Sequence, residues 1–125
     1  MYFLYVFSSQ VWDAAEAWLG DKVDVLMNNA GVFSRSNWRP MNDINMTGLL
    51  IGTYLAIQRM GVTQGRGGRG GTIVQTASLA GLLAAGWSSH TEYTYTATKH
   101  AVVALTRYVD YCVITVVYHF VTPEV

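Results

Sequence analysis

At 125 residues, with half of the chain hydrophobic and eight basic side chains against eight acidic ones, the sequence has the length of one small domain or part of a larger one. A formal net charge of zero supplies no long-range field to draw in nucleic acid or an anionic membrane. The single cysteine, Cys112, rules out an internal disulfide; a reducing, cytoplasmic setting and a role as a small core hydrophobe follow as expectations.

The opening run MYFLYVF is apolar, has no basic region before it and is too short to cross a bilayer, so it reads as a buried strand. QVWDAAEAWLG (10–20) predicts a short helix with Val11, Ala14, Ala15 and Trp18 on one face and Gly20 as its stop. VDVLMN (23–28) is a short, mostly apolar run of the kind buried in a parallel sheet. A loop holding Gly31 and Pro40 follows.

From Asn42 to Met60 the positions Met46, Leu49, Leu50, Thr53, Ile57 and Met60 recur at helical spacing. Asn45, Gly48 and Gly52 are poor helix formers inside that pattern. Either the helix start frays there, or Asn45 marks a purposeful irregularity that presents a backbone carbonyl or an amide to a water. GTIVQTA (71–77) is a second buried strand. A helix from about Thr91 to Tyr108 comes next, for which Ser89 and Glu92 offer a capping box. YCVITVVYHFV (111–121) is rich in β-branched and aromatic residues and reads as a third strand. Helices alternating with strands imply right-handed crossovers and a parallel sheet, which makes the class α/β.

Such sheets hold ligands beyond the carboxyl ends of their strands. Here those ends are NNAG (28–31) and TAS (76–78), both small and polar. In EYTYTATKHAV (92–102), Tyr95 has Lys99 four residues on, one helical turn away and on the same face; Tyr93 has no such partner. A free phenol titrates near ~10, and a nearby ammonium stabilises its anion, which makes a group able to take a proton from an alcohol. The tract GRGGRGG (65–71) precedes a strand and does not link a strand to a helix, so it fails the context of a phosphate loop. Its arginine-glycine pattern resembles RNA-binding segments, but one short tract in a neutral chain reads better as a connection between helix and strand. His90, His100 and His119 lack metal-ligand spacing. The four tryptophans are core or loop anchors, with Trp38 and Trp87 in loops near the presumed substrate side.

Taken together, VDVLMNNAG, Asn45 in DINMTG, GTIVQTASLAGL and YTATKHAVVALTR follow the order and approximate spacing of the short-chain dehydrogenase/reductase family, which the chain resembles over roughly residues 10–107. The resemblance implies a partial Rossmann-type parallel sheet with flanking helices, a single domain over 1–125, and a divergent tail at 108–125. It implies a tetrad of Asn45, Ser78, Tyr95 and Lys99. Tyr95 would be the general acid/base, and Lys99 would lower its pKa and bond the nicotinamide ribose. Ser78 would orient the substrate oxygen, and Asn45 would hold a water linking Lys99 to solvent. Asn29, Ala30 and Gly31, with Tyr95 and Lys99, would line the cofactor, and Asn28 would brace the sheet. The implied reaction is hydride transfer between NAD, with NADP left open, and a secondary alcohol or its ketone, the alcohol prostaglandin-like or otherwise lipid-like. No metal, nucleic acid or membrane is implied, and helices 42–60 and 92–108 would join a homodimer.

The chain also departs from that family. No glycine-rich turn between strand and helix precedes residue 20 to hold a pyrophosphate, and the strand whose acidic residue selects NAD over NADP is missing. The stretch between Ser78 and Tyr95 is longer than usual. The expectation is a truncated chain with an impaired cofactor site; the alternative is a non-catalytic fragment that dimerises with a full-length relative.

Overall fold

No glycine or proline interrupts residues 2–19, and in the computed structural model one helix, α1 (Tyr2–Leu19), runs through all of them. The structure describes the backbone of residues 2–62, 68–83, 92–110 and 115–121, with side chains except at 2–7, 92, 110 and 115–121. The strand expected at MYFLYVF is therefore corrected to helix over residues 2–7. Once a helix exists over the following residues, extending it adds bonds without a new nucleus. Gly20, at φ +68°, ends it, its N–H donating to the Glu16 carbonyl at 3.0 Å.

The face expected for this helix is corrected too. Trp12 is the buried residue at 6% exposure, whereas Val11 and Trp18 stand 52% and 85% exposed. Apolar and small residues surround most of the helix, so spacing alone does not select the side that meets its neighbour. Trp12 joins Ile51, Leu55, Ala56, Met60, Ile73 and Val109 in the larger of two apolar clusters. Each fully buried Leu or Ile in such a cluster stabilises the fold by about 1.5–3 kcal/mol.

Strands β1 (Val25–Asn28), β2 (Thr72–Ser78) and β3 (Thr115–Val121) form one parallel sheet in the order β1-β2-β3. β3 lies within the apolar run 111–121 and extends the sheet beyond β2. β1 is the opposite edge of the described sheet, with Val25 and Met27 57% and 62% exposed.

The long helix expected from Asn42 to Met60 is built in three pieces. A short helix α2 (Trp38–Asn42) starts where the Asn37 side chain accepts from the Arg39 N–H, and Pro40 sits in its first turn. A π-helical segment follows (Asp43–Gly48), then α3 (Leu49–Met60). Helix α4 (Glu92–Asp110) packs across β2, and Leu49, Ala77, Val102 and Val103 form the second cluster.

The second half of the arginine-glycine tract is a structural clamp. The Arg69 guanidinium meets Asp24 at 2.8 Å and Asp21 at 3.2 Å; the Lys22 N–H, then Arg69, hold the Asp21 carboxyl below its usual range, and Arg69 does the same for Asp24. A Cβ on Gly71 would come 2.8 Å from the Asp24 carbonyl and the Met60 sulfur, so only glycine passes there. Arg66, Trp87, Ser89, His90 and Cys112 lie outside the described residues, as does the capping box.

Candidate active site

All three strands point their carboxyl ends the same way, and β1 ends there in Asn28. Asn28 and Gln75 are register partners, so their side chains share a face. Asn28 Nδ2 donates to Gln75 Oε1 at 3.0 Å and to Thr53 Oγ1 at 3.1 Å, while Gln75 Nε2 donates to the same hydroxyl at 2.8 Å. These bonds tie β1, β2 and α3 together directly beneath the site. Gly52 makes room for them, because a Cβ there would overlap Asn28 Oδ1. Beyond Asn28, Asn29 Oδ1 accepts from the Thr76 hydroxyl at 2.8 Å, and Asn29 and Ala30 line a cavity of about 420 Å³.

Asn45 is 1% exposed and lies in the π-helical segment. Its Oδ1 accepts from the Val32 N–H at 2.8 Å, and its Nδ2 donates to the Val32 carbonyl at 2.9 Å and to Thr98 Oγ1 at 3.4 Å. A frayed helix start does not describe this residue. The extra residue of a π turn turns the side chain toward the loop after β1, the kind of irregularity often found at functional sites. The amide holds the Val32 backbone and Thr98.

Lys99 is 4% exposed on α4, and its ammonium donates to the Thr76 carbonyl at 3.0 Å. Burial pushes its pKa below the ordinary lysine value, since the charged form loses hydration. A Cβ on Gly31 would stand 3.3 Å from Lys99 Nζ and 3.6 Å from Asn45 Oδ1. Glycine thus leaves a bare backbone surface beside the ammonium. One of the three N–H donors is taken by Thr76, so among the described residues the others are available to a ligand oxygen.

Tyr95 is half-buried, its ring 5.7 Å from Lys99 Nζ and edge-to-face with Phe33 at 5.3 Å and 87°. Tyr93 is 67% exposed. Ser78 is fully buried, its Oγ accepting from the Ala80 N–H at 3.2 Å to cap a 3₁₀ turn, Leu79–Gly81. That turn meets α4 closely, since a Cβ on Gly81 would lie 2.6 Å from the Lys99 carbonyl oxygen. The structure thus brings Gly31, Asn45, Tyr95 and Lys99 together, with Ser78 joined to them through the Gly81 contact.

Sequence reasoning missed Phe33, Gln75, Gly81 and Thr98; it placed Thr76 at a ligand-facing strand end and Thr53 on the helix face without giving either a role. Gln75 carried a signal, being an amide-bearing side chain in the middle of a buried strand. Phe33 and Gly81 carried none that a single sequence displays. Trp38 stands 46% exposed with the Arg39 guanidinium 5.0 Å from its ring, and Trp18 is a surface residue, not a core anchor. His100 is exposed, its Nδ1 3.0 Å from the Thr96 carbonyl. Among the described residues no cluster of His, Cys, Asp or Glu could hold a metal, and no helix is long and apolar enough to cross a membrane.

A parallel sheet carrying a buried lysine, a neighbouring phenol and an asparagine in a π turn at its carboxyl edge defines an α/β protein of the Rossmann type. The family model described as short chain dehydrogenase matches residues 7–112, and the chain belongs to that family. It is 38% identical over 86 residues to human 15-hydroxyprostaglandin dehydrogenase [NAD(+)], covering 69% of this chain and 30% of that one. A short-chain dehydrogenase structure from Novosphingobium aromaticivorans superposes with a TM-score of 0.71 at 31% identity, over 90% of this chain and 45% of the other. A second, from Burkholderia phymatum in complex with NAD, gives 0.67 at 29% identity, over 91% and 43%. The chain therefore spans about a third of the length of the curated dehydrogenase it matches.

Proposed function

We propose that the chain carries the proton-transfer half of an NAD-linked oxidation of an apolar secondary alcohol. The observation that carries this reading is Lys99. A lysine buried to 4% exposure without a carboxylate partner among the described residues is costly, and here it stands beside the ring of Tyr95 and the bare backbone of Gly31. Desolvation of that kind is more readily understood as a site for chemistry than as packing.

In this reading Tyr95 takes the hydroxyl proton as its phenolate and becomes the neutral phenol, while the carbinol carbon becomes the ketone carbon. NAD, when bound, would supply the hydride acceptor for that carbon. Lys99 stabilises the phenolate and offers its remaining N–H donors to ribose hydroxyls, for which the bare face of Gly31 leaves space. Ser78 orients the substrate oxygen, Asn45 keeps the Gly31–Val32 backbone against Lys99, and Asn29, Ala30 and Gly31 form part of the cofactor wall. Among the described residues no glycine-rich turn leads from a strand into a helix N-terminus, so pyrophosphate contacts are not assigned to them. The apolar substrate is supported by the exposed Val32, Phe33, Leu79 and Leu82 beyond the ends of β1 and β2, and by the prostaglandin alcohol in the name of the human relative.

A pairing role for the helices has its own observation. Leu50 on α3 and Tyr93 and Tyr108 on α4 are 39%, 67% and 71% exposed, a set of large side chains suited to a second copy or a related subunit. In that reading the chain is a homodimer or a non-catalytic partner of a longer relative. Following NADH absorbance with saturating NAD and a long-chain 2-alkanol or a prostaglandin alcohol tests the catalytic reading. Dependence of the rate on both reactants supports it. No rate, with light scattering showing a dimer, leaves the pairing role.

A further inference from the structure

The phenol of Tyr95 projects from the first turns of α4, and its ring has one aromatic neighbour among the described residues, Phe33. The two rings stand 5.3 Å apart at 87°, the edge-to-face arrangement that aromatic quadrupoles favour. Phe33 belongs to the loop between β1 and α2, which has no ladder or helix to fix it. That loop is instead held one residue earlier, where Asn45 takes both the N–H and the carbonyl of Val32. With Val32 clamped, the backbone leading to the Phe33 ring has little freedom. Phe33 is also 39% exposed, which is poor use of a phenylalanine if burial were its whole purpose.

We propose that Phe33 is a positioning residue for Tyr95: clamped through Val32 by Asn45, its ring fixes the direction in which the Tyr95 phenol points. The proposal rests on the reading of Tyr95 as the acid/base. It gives the side chain of Asn45 a task at the site, carried through the loop to the phenol, and it predicts that removing an aromatic edge slows turnover without weakening NAD binding. A misdirected proton acceptor loses rate because the reacting atoms no longer meet in line.

The test compares wild type, Phe33→Leu and Phe33→Tyr, using protein with ring-labelled tyrosine whose Tyr95 resonances are assigned through Tyr95→Phe. Turnover is followed in parallel with NAD and a long-chain 2-alkanol. Phe33→Leu is expected to move the Tyr95 ring resonances and lower kcat about 10-fold with KM for NAD unchanged. Phe33→Tyr, which keeps the ring, restores both. Tyr95 resonances that stay in place in Phe33→Leu overturn the proposal, as does a kcat within twofold of wild type once they have moved. If wild type shows no NAD reduction while the resonances still move, the ring contact stands and the acid/base reading falls.

Discussion

Lys99 donates its ammonium proton to the carbonyl of Thr76 at 3.0 Å, in a position only 4% exposed. One neutral acceptor does not replace the hydration of a charge, which is why burial lowers the lysine's pKa. Between that lowered native value and the ordinary 10.5, the unfolded chain holds the proton and the native chain does not, so stability rises with pH there. Below that window the native state carries the whole burden of the buried charge. Lys99→Met is accordingly expected to be at least as stable as wild type at neutral pH, with its relative advantage shrinking as pH rises toward 10.5, while turnover is lost. Urea denaturation of both proteins at neutral and alkaline pH, beside the NADH assay, checks the sign.

Asn45 fastens the loop after β1 by bonds to both sides of one peptide residue, Val32. Asn45→Ala removes them from a site that is 1% exposed and is expected to destabilise the fold by about 1–3 kcal/mol. Asn45→Asp keeps the acceptor for the Val32 N–H but sets an anion against the Val32 carbonyl. It is expected to be the worse of the two above the carboxyl pKa and to recover as pH falls. Equilibrium denaturation across pH distinguishes them.

Gly52 and Asn28 form a steric pair. A Cβ at position 52 must push the Asn28 amide away from Thr53 and Gln75, which outweighs the gain of about 1 kcal/mol that alanine brings to a helix interior. Gly52→Ala is therefore expected to destabilise. Because the clash is with Asn28 itself, the double variant Asn28→Ala/Gly52→Ala is expected to lose less than the sum of the two single changes. A double-mutant cycle in urea reads the coupling directly.

Gly81 brings the turn after β2 against the backbone of Lys99, where a Cβ would lie 2.6 Å from the carbonyl oxygen and 3.0 Å from the carbonyl carbon. Neither atom is the end of a flexible side chain, so the turn and α4 must separate. Gly81→Ala is expected to cost roughly 1–3 kcal/mol, in the range of overpacked sites, and to reduce turnover more than affinity for NAD. Thermal melting and a kcat-against-KM comparison check both parts.

From β1 onward the order of elements was legible because β1 and β2 end in small polar residues and the helices keep their spacing. NNAG and Ser78 fell at those ends and Asn45, Tyr95 and Lys99 on the helices, and family membership followed from their combination. The first helix was not legible: MYFLYVF has strand-like composition, and only its continuity with the next helical residues turns it into α1. Its packing face was hidden because apolar residues surround it, so burial of Trp12 is set by α3 and not by spacing. Three poor helix formers at 45, 48 and 52 did announce an irregularity. That it is a π turn depends on the distant backbone of Val32, which no local pattern encodes. Gly52 and Gly81 read as liabilities or as nothing until the neighbours that need their missing side chains are in view.

The central claim, that Tyr95 is the proton acceptor, is tested most directly by comparing Tyr95→Phe with Tyr93→Phe. The two tyrosines lie within one turn of α4, but Tyr93 is 67% exposed whereas Tyr95 sits beside Lys99. With NAD and a long-chain 2-alkanol, Tyr95→Phe is expected to lose at least about 100-fold in kcat, and Tyr93→Phe to stay within twofold of wild type, both with unchanged circular dichroism. Equal rates in the two variants, or an NAD-dependent rate that survives the loss of the Tyr95 hydroxyl, would contradict the account.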